Sequence, residues 1–379
     1  MKHTVKPLLL LLLYNHAFAQ SSAPKQPTQT PIAAYKPAPI PLKISPQDST
    51  AQSSLFSHFE VLDLRPDTQR IGIHYTHTRA DHSYNRQLVF AHPAATEISS
   101  FLDSTSARKD APYTALIVLR TLWISDPNYI REDLVRDPER RFEKSHIRLK
   151  AEVYAAKDNH YIPLLRFDSL QVSYRNVTYD LYGQNLADML NYLADSALRL
   201  LPSKMAENRV VSLEDIRQFN QSRFELPIYH DIRLNKGVYN SFEEFKNNTP
   251  SIRNYEIKEE DHQLLLYIKE EGGKSYYCRT AWGYCDGQNV FVMKNGALHL
   301  AWKEDNALYM LGMLYDHPTS SSTSTTTNPV APNQPLYIGA PTGIPMLVGN
   351  VAASSIIDAF KYDAHIHVFM VDMDNGNVY

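Results

Sequence analysis

Cysteine is nearly missing. Only Cys278 and Cys285 occur in 379 residues, so neither a disulfide framework nor a four-cysteine metal site can be built. Glycine is also sparse, at 13 residues, and none of it forms a P-loop, a G-x-G-x-x-G turn or a G-x-S-x-G elbow. No H-E-x-x-H helix occurs either. These absences weigh against the common nucleotide-binding proteins and hydrolases, and no cofactor is expected. A large charge of one sign is lacking too. The formal charge is −3, so nucleic acid and anionic lipid are not expected partners. Long apolar runs are confined to Leu8–Leu13, and no transmembrane segment is expected in the mature chain.

That run belongs to the N-terminus, "MKHTVKPLLLLLLYNHAFAQ". Lys2 and Lys6 precede it, and Ala17-Phe18-Ala19 follows as an A-x-A cleavage signal. Residues 1–19 therefore predict a secretory signal peptide, with Gln20 as the first mature residue. The expected location is exported, either periplasmic or associated with the outer membrane.

Residues 20–53 are rich in Pro, Gln, Ser and Thr and predict a disordered tether. A second low-complexity tract, 318–335, predicts a disordered loop. In 344–360, Asn350, Ser354 and Asp358 form a polar stripe without Lys or Arg. This predicts an amphipathic helix packed on a domain rather than on a membrane.

The patterning predicts an α+β chain. Residues 54–203 read as an α/β sandwich-like domain of β-α-β-β-α order. Its central strand is "YTALIVLRTLWIS", apolar on both faces. A hairpin turns at Lys157-Asp158-Asn159. A helix carries Leu186, Met189, Leu190, Leu193, Ala197 and Leu200 on its buried side, with Asn185, Asp188, Asn191 and Asp195 facing away. Residues 204–226 predict a linker helix capped by Ser212 and Asp215. Residues 227–379 predict a mainly antiparallel β-meander, with a short helix at 242–248 opened by Ser241 and Glu244. Asp286-Gly287 and Asn295-Gly296 are read as type I′ hairpin turns between strands. Cys278 and Cys285 then fall on one strand, about 23 Å apart, so two free thiols are expected rather than a disulfide.

The N-terminal element order resembles the β-α-β-β-α core of several periplasmic envelope proteins, including the N-terminal region of curli-secretion lipoproteins. In the C-terminal half the segment "KGVYNSFEEFKNNTPSI" precedes "WGYCDGQNVFV". Gly237, Tyr239, Ser241, Phe242, Glu244, Phe245, Lys246, Asn248, Pro250 and Ser251 come first. Trp282, Gly283, Tyr284, Cys285, Asp286 and Gly287 come second. This pairing is similar to one in uncharacterised exported proteins of the Bacteroidetes, with the closing "FMVDMDNGNVY" as a terminal hairpin turning at Asn375-Gly376. The resemblance implies a Gram-negative envelope protein and no particular activity.

Several groups are candidates for chemistry. Asp363, His365 and His367 would share one strand face and could hold a metal, or could be the polar side of an ordinary strand. His74, His77, Asp81 and His82 would meet only in a loop. The mixed charges of 131–146 suit a solvated face. Tyr276, Tyr277, Trp282 and Tyr284 form a candidate binding surface, or else supply cross-strand packing. The expected function is a non-catalytic binding or assembly module whose partner is an envelope protein or a surface polymer. The alternative is a metal-dependent or other enzyme centred on Asp363, His365 and His367.

Overall fold

The computed structural model describes residues 35–43, 54–77, 83–125, 144–174, 179–231, 234–260, 263–304, 306–312 and 367–379. The predicted signal peptide, the Ser/Thr tract at 318–335 and the predicted helix at 344–360 lie outside these residues. Among those described, the fold is mixed α+β and mostly β, built on two sheets. No helix among them is long and apolar enough to cross a membrane.

The first sheet holds β1 (Lys36–Pro39), β2 (Phe56–Asp63), β3 (Gly72–His77), β4 (Ser83–Val89), β5 (Tyr113–Ser125), β6 (Lys144–Lys157) and β7 (His160–Tyr174). Their order is β1-β4-β3-β5-β6-β7, and β2 lies beside the first half of β5. The β1–β4, β2–β5 and β3–β5 pairs are parallel and the rest antiparallel. Strand β5 is central because its apolar residues are wanted on both faces. Ala115, Ile117, Leu119, Leu122 and Ile124 join one core and Leu116 and Val118 another. The β6–β7 hairpin turns on Asp158 and Asn159, whose φ values of 50° and 60° are those of a type I′ turn.

Two helices cover one face of this sheet. α1 (Ala94–Ser106) starts at Pro93, where a missing N–H costs nothing. α2 (Tyr179–Ala206) buries Leu186, Leu190, Leu193 and Leu201 almost completely, each contributing about 1.5–3 kcal/mol. Two positions differ from the sequence expectation. Leu200 is exposed, and Leu201 takes its place in the core. Asn185 turns inward and donates from Nδ2 to Ser173 Oγ at 3.1 Å. The helix also continues through Pro202 to Ala206, past the expected boundary at 203.

The tether expected over 20–53 is also corrected. Residues 36–39 are a sheet strand, with Ala38 and Ile40 buried in the core. The sequence "KPAPIPL" suits a sheet margin. Ile40 N–H donates inward to Val89 O at 2.8 Å. By alternation Pro37, Pro39 and Pro41 take the outward-facing positions, where no ladder bond is required. Gly183 of α2 lets this strand dock, because a Cβ there would lie 1.9 Å from Pro41 O. Alanine would improve helix propensity by about 1 kcal/mol, but it would drive the helix off the 38–42 backbone. Gly183→Ala is therefore expected to destabilise the protein by about 1–3 kcal/mol and to expose residues 36–43 to protease. Unchanged protection of that segment would refute this docking.

The second sheet holds β8 (Gly237–Tyr239), β9 (Tyr255–Glu260), β10 (Gln263–Lys269), β11 (Ser275–Tyr277), β12 (Gly283–Cys285), β13 (Val290–Lys294), β14 (Ala297–Glu304), β15 (Ala307–Gly312) and β16 (His367–Val371). All its pairings are antiparallel. The expected meander is modified in two ways. The single strand predicted through both cysteines is split. β11 pairs with β10, while β12 pairs with β13 and β8. In addition, β10 and β15 share one margin of β14. Asn295 and Gly296 (φ 51° and 89°) form the expected type I′ turn. At Asp286-Gly287 only Gly287 has a positive φ. There Asp286 caps a four-residue loop, accepting from Gln288 N and Asn289 N at 2.7 Å each.

α3 (Leu213–Gln221) has the capping box of Ser212 and Asp215, and a 3₁₀ turn at Ser222–Phe224 and α4 (Pro227–His230) lead to β8. α5 (Phe242–Lys246) is only half boxed. Ser241 Oγ accepts from Glu244 N, but the Glu244 carboxylate reaches Asn240 N and Ser251 instead.

The two sheets touch through the face of β5 that α1 and α2 do not cover. Trp123 packs on Tyr309 at 5.6 Å, and Arg70 pairs with Glu304.

Candidate functional site

A β-bulge interrupts β5. Leu119 pairs with Ala151 and Thr121 with Lys150, leaving Arg120 with no partner of its own. Leu119 and Leu122, three residues apart, consequently share the helix-covered core. The bulge reverses the in-out phase of the strand and places Arg120 beside Lys150 on the opposite face. β7 has a second bulge, where Val153 pairs with Leu165 and Tyr154 with Pro163. Arg166 and Asp168 follow it.

These side chains line a cleft of about 400 Å³, together with Arg223 from the 3₁₀ turn and Lys246 from α5. The fourth wall is the C-terminal hairpin. β16 ends at Val371, and Asn375 N and Gly376 N return to Asp372 O at 3.2 and 2.7 Å. Gly376 (φ 77°) lies against Phe242 and the Trp282 ring, so glycine is required there. The turn places Asp374 at the centre of the cations. Arg120 Nη2 lies 3.3 Å from both carboxylate oxygens, Lys150 Nζ 3.1 Å from Oδ2 and Arg223 Nε 3.0 Å from Oδ1. Burial opposes ionisation of Asp374, but Arg223, Lys150 and Arg120 outweigh it and hold the carboxyl below the ordinary range. Burial pushes the Arg223 guanidinium down, partly offset by Asp374.

A layer of acids lies behind. Lys150 also pairs with the buried Asp372. Glu152, 2% exposed, takes Arg120 Nη1 at 3.1 Å, Arg166 Nε at 3.2 Å and Tyr154 OH at 2.9 Å. Burial, then the Glu152 charge and hydrogen bond, raise the Tyr154 phenol well above its usual value, so it stays a donor. Two guanidinium nitrogens in this cluster, Arg120 Nε and Arg223 Nη1, are buried without an acceptor among the described residues.

The residues singled out in the sequence lie elsewhere. Asp363 and His365 are outside the described residues, and His367 opens β16 opposite Gly312. Among the described residues no three His, Cys, Asp or Glu side chains are grouped to hold a metal. His74 is buried, with Nδ1 3.1 Å from Tyr182 OH. His77 closes β3, while Asp81 and His82 lie outside the described residues. The four aromatics do not form one surface. Trp282 stacks on Phe245 at 4.2 Å in one core, and Tyr284 stacks on Phe291 at 5.7 Å in another. Tyr277 pairs with Tyr267, and Tyr276 is half exposed.

Both cysteines are free and buried. They do not share a strand, so the spacing argument for free thiols does not apply: Cys285 ends β12 and Cys278 lies just past the end of β11. Burial pushes the Cys285 thiol up to about 11, against a hydrogen bond from Gly287 N–H at 3.2 Å. A thiol so placed is a poor nucleophile. Native protein at pH 7.5 is expected to take up no iodoacetamide within minutes, and unfolded, unreduced protein to take up two labels. No label after unfolding would reveal a disulfide.

The cleft escaped sequence reading because its members span residues 120 to 374. A signal was present, however. Arg148, Lys150 and Glu152 stand at every second position of β6, an interior strand, so this strand presents a run of charges on one face of the sheet.

No family model matches the chain, and no curated protein matches it. Among solved structures, protein XCC0632 from Xanthomonas campestris, of the DUF330 family, aligns over 46% of this chain and 100% of its own, at 13% identity and a TM-score of 0.25. At that score the likeness carries no argument about function.

Proposed function

We propose that this is an exported cell-envelope protein that works by binding, not by catalysis, and that the basic cleft is its binding site. The chain is read as two units, an α+β unit over 36–206 and a β-rich unit over 227–379, with the cleft at their junction. The observation that carries the reading is the gathering of Arg120, Lys150, Arg166, Arg223 and Lys246 around one concave surface. A cluster dominated by cations suits recognition of an anionic group. General acid–base chemistry instead needs groups poised to exchange protons near neutrality. Export rests on the N-terminal sequence and on the resemblance to exported Bacteroidetes proteins. The partner class is an envelope protein or a surface polymer.

Expressed whole in a Gram-negative host, the chain should be recovered from the envelope fractions with Gln20 at its N-terminus. Crosslinking in envelope extracts should give an adduct that Arg223→Ala with Lys246→Ala abolishes. Cytosolic recovery with Met1 intact would overturn export. Stoichiometric zinc lost in His365→Ala with His367→Ala would replace binding with the metal reading.

A further inference from the structure

The geometry points to a ligand class for this cleft: a small organic monoanion with a carboxylate head and an apolar body. The inference rests on the binding reading above and adds what is bound.

Charge is the first argument. The cleft cations Arg120, Lys150, Arg166, Arg223 and Lys246 face four carboxylates, Asp168 and Asp374 in the wall and Glu152 and Asp372 behind it. One positive charge is left over. Pairing Asp168 with Arg148, and Lys246 with Glu243, leaves that balance unchanged. A monoanion completes it.

Hydrogen bonding is the second. The guanidinium N–H groups without acceptors, Arg120 Nε and Arg223 Nη1, belong to two residues that line the cleft. Both nitrogens are closed to water, so an incoming carboxylate, with two acceptor oxygens and about four lone pairs, would meet the other N–H groups of these two guanidiniums. The cluster is demonstrably shaped for this group, since Asp374 already contacts three of its cations within 3.3 Å. Asp374 is thus a resident competitor that a ligand carboxylate joins or displaces.

The apolar lining is the third. Leu226 and Met373 share the cleft with the cations, whereas the Phe167 ring lies on the helix-covered face against Tyr192. A free inorganic anion would not extend along this apolar edge, whereas an aliphatic body covers it. The volume of about 400 Å³ lies in the range of small-ligand clefts.

The test is calorimetric titration of the full chain at low salt with three probes: N-acetyl-leucine, N-acetyl-leucinamide and inorganic phosphate. The acid should saturate one site and bind about tenfold or more tighter than the amide, which has the same body and no charge. Arg223→Gln should weaken the acid about tenfold. Asp374→Asn, which removes the internal carboxylate, should strengthen it several-fold, a gain that general loss of structure does not produce. Equal binding of acid and amide, or phosphate binding tighter than the acid, overturns the assignment. So does a failure of Asp374→Asn to raise the affinity. Silence toward all three probes, with the crosslinked adduct still abolished by the cleft variants, overturns the ligand class and leaves the binding reading intact. Silence together with an adduct indifferent to those variants overturns both.

Discussion

Arg70→Ala is expected to destabilise the protein by about 3–5 kcal/mol, the cost of leaving buried charge without its partner. Arg70 is 4% exposed and ties the first sheet to the second. Its Nη2 pairs with Glu304, its Nε lies 3.2 Å from Asp67 Oδ2, and the guanidinium sits 5.9 Å from the Tyr309 ring centre. Tyr309 in turn donates its hydroxyl to Asp67 at 2.5 Å. Burial alone would lower the Arg70 pKa. The Glu304 hydrogen bond and the Tyr309, Asp67 and Glu304 fields overcome this and raise it. Alanine removes the cation and strands two carboxylates whose side chains are 7% and 19% exposed. By contrast, Lys204–Glu207 is open to water on both sides, and breaking it should change stability by less than about 0.5 kcal/mol. Urea midpoints for the two variants measure the difference. An Arg70→Ala midpoint as close to the parent as the Lys204→Ala midpoint would mean that the sheets are not coupled through this pair.

Acid should weaken the fold through His299. This residue of β14 is fully buried, and burial pulls its pKa down from 6.5 to about 4, against a hydrogen bond to the Lys294 backbone. Its Nε2 lies 3.3 Å from Lys294 O. A histidine with a depressed folded pKa binds its proton mainly in the unfolded chain. Stability is therefore unaffected above about pH 6.5, falls as pH drops from 6.5 to 4, and levels off below. The full swing is about 3 kcal/mol, most of it reached by pH 4.5. His299→Leu should show a smaller loss of stability between pH 7.5 and pH 4.5 by that amount. Parallel losses in variant and parent would place the acid sensitivity elsewhere.

Where local chemistry decided the structure, it could be read in the sequence. Asp158-Asn159 and Asn295-Gly296 are turns because few residues accept positive φ. The helix stripe from Leu186 to Ala197 is buried as its spacing requires. The β5 assignment also follows from residues wanted on both faces. Reading failed where two explanations share one composition. "KPAPIPL" carries the prolines of a linker, yet their alternation is that of a strand margin, and composition hides alternation. The segment from Lys274 to Cys285 has no breaker except Gly283, so nothing local announces that its two ends join different neighbours. The cleft was illegible for a third reason. A lone arginine in an apolar strand has no meaning until the bulge that turns it is known, and that bulge depends on pairing with β6.

The outward prolines at this sheet margin, Pro37 and Pro39 of β1 and Pro41 just past it, also set how this protein can associate. A sheet grows by lending N–H donors to a newcomer, and that flank offers none at alternate positions. The opposite flank is β7, bridged among the described residues only where Tyr161 meets Val211. Among the described residues, strand addition to the first sheet would therefore use the β7 side of each copy, and two copies meeting there would form a two-fold pair.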